Sequence, residues 1–223
     1  MPPLSGSIPY PWPFDASLDE PLGSDRLALL CIAVQPSFVA ATVGADVTVM
    51  TISLAARALR NAGARVVAVT VGASAGGRRA AVSTFDAETV EPLIAASADA
   101  VVTTVGLDGF YASPLEPLLR SWGCDRLALC GLGAETAVDC TLRSVNDRGF
   151  ECLTLTDAVA PHDPVLAARA HHSVTMSGGI FGVIGTTADL LIAMDLGGVP
   201  AGLESIRVPI DSRLSDPKEI VSR

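Results

Sequence analysis

LALCGLGAETAVDCTLRSVNDRGFECLTLTDAVAP, residues 127–161, holds the pattern that decides the fold. Leu127 to Cys130 is an apolar run of the kind that makes a strand buried on both faces. It meets Gly131, Leu132 and Gly133, after which a helical pattern covers Thr136 to Arg148 and stops at Gly149, a usual residue just past a helix end. A second apolar run, Glu151 to Thr156, follows at once. Strand, glycine turn, helix, glycine and strand together form the unit of a parallel sheet with a crossover helix. The backbone N–H groups at the start of such a helix, near Glu135 and Thr136, are free to face a ligand.

The alternation continues on both sides. Leu27 to Val34, Arg65 to Val71, Ala100 to Thr104 and Ile180 to Ile184 read as further short buried strands. Val49 to Asn61 reads as a helix with Ile52, Ala55, Ala56 and Leu59 on one face and Gly63 beyond its end. Pro114 to Trp122 reads as another, with Pro114 in its first turn and Ser113 as N-cap. The expected architecture is a three-layer α/β/α Rossmann-like sandwich with a mostly parallel sheet and right-handed crossovers. Ligands in such sheets lie beyond the carboxyl ends of the strands, where Ala33, Thr104 and residues 131–137 would converge. The expected division is an arm over residues 1–24, one domain over 25–197 and a tail over 198–223. Tyr10, Trp12 and Phe14 stand among prolines in the arm, a composition that packs against a domain rather than burying itself.

These segments carry a family likeness. Residues 127–161 resemble the isochorismatase-like cysteine hydrolases, nearest their biuret and ureidoacrylate amidohydrolase branch, in the order glycine turn, Val, Thr, Arg, Asn-Asp-Arg-Gly-Phe-Glu-Cys-Leu. LALLCIAVQPSF, residues 27–38, resembles the first strand of that family and its Asp-Met-Gln-x-x-Phe ending; VVTTVGLDGFYASPLEPLL, residues 101–119, resembles the segment with its catalytic lysine. IPYPWPFDASLD near the start and SGGIFGVIGTTADLL near the end match as well, so the likeness spans roughly residues 8 to 194. The chain is shorter than such relatives between Gly72 and Asp99.

The resemblance implies a fold of isochorismatase-hydrolase type and a site from which the catalyst is missing. Without a gap, the nucleophilic cysteine falls on Ala137, the general-base aspartate on Ala33 and the lysine on Thr104. In the resembled enzymes a thiolate attacks an amide-type carbonyl while the carboxylate moves the proton and the ammonium polarises the pair. Alanine can do none of this, and a threonine hydroxyl is a poor nucleophile without a base beside it. What remains is a relic pocket formed by Gln35, Phe38, Thr104 and Phe110 with Leu132, Gly133, Ala134, Glu135, Thr136 and Ala137. Leu132–Gly133 is the place where the resembled enzymes use a cis or strained peptide. Cys140, one turn beyond Ala137, and Asp139 are candidates for a substitute nucleophile. Cys140 is weighed against a packing role, and Asp139 and Glu135 against capping or surface roles.

Composition fits that frame. At 223 residues the chain can bury a sizeable core as one domain. Only 17% of residues are charged and mean hydropathy is +0.45, so apolar surface is expected to be covered by another subunit. A net charge of −9 without a basic stripe excludes nucleic acid and anionic membrane as partners. No stretch reads as a secretory signal or a transmembrane span, so a cytoplasmic location is expected. Five cysteines, Cys31, Cys124, Cys130, Cys140 and Cys152, without metal-type spacing, are expected to be reduced and buried. His162, His171 and His172 read as surface or interface residues, and Gly76 to Arg79 as a flexible basic loop without a phosphate-binding lysine. Metal-binding members of the resembled family carry an Asp and two His after the second strand, and Val69 to Arg79 offers none, so the resemblance implies no metal, and no other cofactor is expected. The reading is a pseudoenzyme: a structural or regulatory subunit in a homo-oligomer or with an active paralogue, or a binder of a small carboxylate or ureido ligand. The alternative is an amide or ureido C–N hydrolase with non-standard catalytic residues.

Overall fold

The computed structural model describes residues 22–72, 90–176 and 180–196. The arm with Tyr10, Trp12 and Phe14, the basic turn Gly76 to Arg79 and the tail from 198 onward lie outside them. Six strands form one sheet: β1 (Leu27–Ile32), β2 (Arg65–Val71), β3 (Ala100–Thr104), β4 (Arg126–Leu132), β5 (Glu151–Ala160) and β6 (Val183–Gly185). Their order is β3-β2-β1-β4-β5-β6 and every pairing is parallel. The helices are α1 (Pro36–Ala41), α2 (Ala45–Asn61), α3 (Pro92–Ala95), α4 (Leu115–Ser121), α5 (Asp139–Asp147), α6 (Pro164–Met176) and α7 (Thr187–Ala193).

Two apolar clusters cover the two faces of the sheet, and the alternation of side chains along β1 sorts them. Ala28, Leu30 and Ile32 join Leu115 and Leu119 of α4 and Leu142 and Val145 of α5. Leu27, Leu29 and Cys31 join Ile52 and Leu59 of α2 and Leu190 and Leu191 of α7. This is the expected three-layer sandwich. Burial on both sides explains the unbroken apolar runs of β1, β2 and β4, whereas β3, expected to be buried, lies at the sheet edge and exposes Val101 and Thr103, so that only one of its faces is covered.

Several boundaries differ from the sequence reading. β1 ends at Ile32 rather than Val34, because Ala33 turns the chain at φ +55°. α2 begins four residues before Val49, after Gly44 at φ +74°. Pro114 is the N-cap of α4 rather than part of its first turn, although the Ser113 hydroxyl does accept from the Leu115 N–H at 3.3 Å. Ile180 is exposed and precedes β6, which starts only after Gly182. At φ +77° Gly182 lies against the Cys152 backbone, where a Cβ would collide. β5 runs on to Ala160, with a register shift against β4 between Leu129 and Gly131. Cys140 is exposed, contrary to the expectation for all five cysteines, while the other four are buried. His162 and His172 are exposed, but His171 is partly enclosed.

Candidate functional site

The strand order reverses between β1 and β4, so the crevice expected for a ligand lies beyond their carboxyl ends. Ala33 follows β1 directly and is fully buried. Its N–H donates to the Val69 carbonyl at 2.8 Å, and its carbonyl accepts from the Gln35 N–H at 2.9 Å. Gln35, also fully buried, accepts from the Val71 N–H at 2.9 Å and donates to the Val71 carbonyl at 3.4 Å, tying the ends of β1 and β2 together. Gln35 therefore acts as a backbone clamp.

Beyond β4 the chain makes two glycine-dependent moves. Gly131, at φ +141°, lies so close to the Ile32 carbonyl of β1 that any Cβ would strike it. Gly133, at φ +73°, opens a π-helical turn over Ala134–Val138 that leads into α5, and a Cβ there would strike the Thr136 hydroxyl. All peptide bonds of the described residues are trans, so Leu132–Gly133 is not the cis bond considered from the sequence. The positive φ of Gly133 makes the turn instead. Ala137 is fully buried, and its methyl group joins Ala33, Phe38, Phe110, Leu132 and Ala134 in one apolar cluster.

Thr104, at the end of β3, is fully buried as well. Its hydroxyl lies 2.6 Å from the Asp108 carbonyl and 2.7 Å from that of Tyr111, and donates its single proton between them. The loop it holds is fastened to α5: the Gly109 N–H donates to the Thr141 hydroxyl at 3.0 Å, and that hydroxyl donates to the Ala137 carbonyl at 2.7 Å. Asp108 accepts from the Ser144 hydroxyl at 2.8 Å. Thr104 and Ala137 are thus joined by a chain of structural hydrogen bonds with no charged group at either end.

Of the substitute candidates, Asp139 is held in an ion pair and the Cys140 thiol is shifted away from the thiolate. Asp139 accepts from Arg143 Nε at 3.2 Å and Nη2 at 3.1 Å. Arg143 also donates to Ser173 of α6 at 3.1 Å and lies over the Phe181 ring at 3.8 Å, so the ion pair with Asp139 ties α5 to α6 and to the segment ahead of β6. Partial burial, with the carboxylates of Asp139 and Asp108, pushes the Cys140 thiol up from its ordinary value; Arg143 opposes this. A thiol raised in this way carries little thiolate at neutral pH. Glu135 accepts from the His162 N–H at 3.0 Å and the Asp163 N–H at 2.7 Å, which anchors the start of α6 rather than its own helix.

His162 is the site residue that sequence reasoning missed. Its Nδ1 lies 3.3 Å from the Thr42 hydroxyl, and its ring lies 6.0 Å from that of Phe38. Its Nε2 would lie 3.2 Å from a Cβ on Gly133. The ring thus stands over the turn, although it is solvent-exposed. The signal was its position two residues beyond β5, at the same edge of the sheet. Among the described residues no three His, Cys, Asp or Glu side chains come together as a metal site, and no helix is long and apolar enough to cross a membrane.

Solved structures share this architecture. A cysteine hydrolase from Pseudomonas syringae pv. phaseolicola superposes with a TM-score of 0.69 at 19% identity, covering 85% of this chain and 99% of that one. An isochorismatase family protein from Burkholderia thailandensis gives 0.67 at 20% identity, covering 78% and 98%. N-carbamoylsarcosine amidase from Thermoplasma acidophilum gives 0.61 at 23% identity, covering 73% and 96%. At these identities the likeness establishes the fold. Residues 27–189 match the isochorismatase domain, most of the chain and all of the crevice just described, and the protein therefore belongs to the isochorismatase family.

Proposed function

We propose that this chain is a non-catalytic member of its family, near the biuret hydrolase and ureidoacrylate amidohydrolase branch, that assembles with itself or with an active homologue as a structural or regulatory subunit. The reading rests on the three positions assigned to nucleophile, base and ammonium. Ala137 and Ala33 present enclosed methyl groups, and the Thr104 hydroxyl is spent on carbonyls. The backbone of Ala33 adds support. A φ of +55° costs alanine roughly 1–2 kcal/mol, whereas aspartate and asparagine visit this region readily. A turn shaped for aspartate but occupied by alanine is what loss of a catalytic carboxylate would leave behind. Residues 25–197 form the domain in this reading.

A second reading, a hydrolase with Cys140 as displaced nucleophile, is favoured by one observation, the exposure of that thiol on α5. Alkylation by iodoacetamide, followed by intact mass against pH, separates the two. The non-catalytic account expects the rate at Cys140 to rise with an inflection above the ordinary thiol value of 9.0, because burial and two carboxylates disfavour the thiolate. An inflection below about pH 7, the mark of an activated cysteine, would transfer the reading to the hydrolase.

A further inference from the structure

We infer that the cleft between the last turn of α2 and α3 binds a small-molecule oxyanion, a carboxylate or phosphate monoester carried on an apolar body. The cleft has a volume of about 390 Å³, within the roughly 300–1,000 Å³ of small-molecule sites. It lies at the opposite end of the sheet from the crevice. α2 ends at Asn61, just before β2 begins at Arg65, and Asp99 immediately precedes β3. These are the amino ends of the strands, so the inference is independent of what the crevice does.

Charge defines what the cleft takes. Acids outnumber Lys and Arg by 24 to 15 in this chain, yet the residues that line the cleft include Arg57 and Arg60 and no carboxylate. Three residues apart on α2, the two arginines are neighbours, and like charges so placed repel. Arginines near a helix end can serve its last carbonyls. Here the carbonyls of Ala58, Leu59 and Arg60 already accept from the N–H groups of Ala62, Ala64 and Gly63. Arg60 is steadied from behind: its Nε lies 3.2 Å from one oxygen of Asp99, whose other oxygen accepts from the Val66 N–H at 2.8 Å. A guanidinium has further N–H donors for a second acceptor. Arg57 has no carboxylate within ion-pair distance among the described residues. An oxyanion between the two would replace their repulsion with charge-assisted hydrogen bonds.

The remaining lining sets the body of the ligand. Ser53 and Ser97, 6% and 5% exposed, line the cleft with the arginines, and Asn61 adds an amide; such groups can donate to the other oxygens of the anion. Opposite in character are Leu93, 46% exposed, and Ala96. A bare inorganic ion would leave these two in water, whereas an apolar body would cover them.

Isothermal titration calorimetry of the full chain in low-salt buffer tests this with phenyl phosphate, benzoate and inorganic phosphate. Circular dichroism establishes that each variant is folded. Phenyl phosphate or benzoate is expected to bind at least about tenfold more tightly than inorganic phosphate, because only a ring covers Leu93. The tighter of the two names the oxyanion. Arg57→Gln, at an exposed position, is expected to weaken that binding about tenfold or more. Arg169→Gln, at an exposed position on α6, is expected to leave it unchanged. No binding of either aromatic acid up to about 10 mM would overturn the inference, as would equal affinity for inorganic phosphate. So would binding indifferent to Arg57→Gln, or weakened equally by Arg169→Gln, the mark of attraction to positive charge in general. Each of these results would leave the non-catalytic reading of the crevice untouched.

Discussion

Two buried alanines carry opposite backbone demands, and this makes them informative probes. Ala33 sits at φ +55°, where glycine is unstrained, whereas Ala137 sits within the helical turn that leads into α5. Ala33→Gly is therefore expected to be neutral or to stabilise by up to about 1 kcal/mol, relief of strain outweighing the added freedom of the unfolded chain. Ala137→Gly is expected to destabilise by about 1 kcal/mol. Chemical denaturation of the two variants measures both; the same sign and size at both positions would mean that Ala33 is not strained. Thr104→Val removes the hydroxyl that holds two loop carbonyls, and a loss of about 1–3 kcal/mol is expected, with faster amide exchange over residues 105–113. The positions of these residues were legible in the sequence, because strand ends and glycine turns mark them. What each side chain touches was not. Gln35 reads equally well as a ligand-facing amide or as the clamp on Val71 that it is, since nothing local distinguishes a partner 36 residues away.

At the scale of elements, the sequence was most legible where apolar runs end at strong breakers. β2 and β3 begin and end where their Val-rich runs do, between Gly63 and Gly72 and between Asp99 and Val105. It was least legible where the backbone departs from regular periodicity. The π-helical turn over Ala134–Val138 and the irregular stretch of β5 leave no trace in residue pattern, because both are settled by packing against neighbours. α6 shows a further limit. Its hydrophobic pattern is weak, and its start is held by Glu135 from 28 residues upstream. His171 on α6 has an enclosed Nε2 without a partner among the described residues. Burial holds its imidazole below the ordinary value of 6.5, against the opposing pull of Asp139. The unfolded chain therefore binds a proton near pH 6.5 that the folded one resists, so this contribution to stability is present above 6.5 and is lost as pH falls below it. His171→Gln is expected to flatten the dependence of stability on pH between about 5 and 7. An unchanged slope would show that His171 titrates freely in the folded protein.

For the molecule as a whole, fold and site follow from different properties of the same sequence. Helices on both faces and six parallel strands follow from apolar periodicity, and retaining them needs no catalytic residue. The chemistry of the crevice needs charge, and its centre holds methyl groups and a committed hydroxyl. The chain can therefore keep its fold without the reaction. Ammonia release by the purified full chain from biuret, ureidoacrylate and nicotinamide, followed to many hours at high protein concentration, tests this most directly. The account predicts a rate indistinguishable from that without protein, since loss of one member of a catalytic triad alone slows an enzyme by thousands-fold or more. Turnover that copurifies with the folded chain and is abolished by Cys140→Ala or Thr104→Val would contradict it.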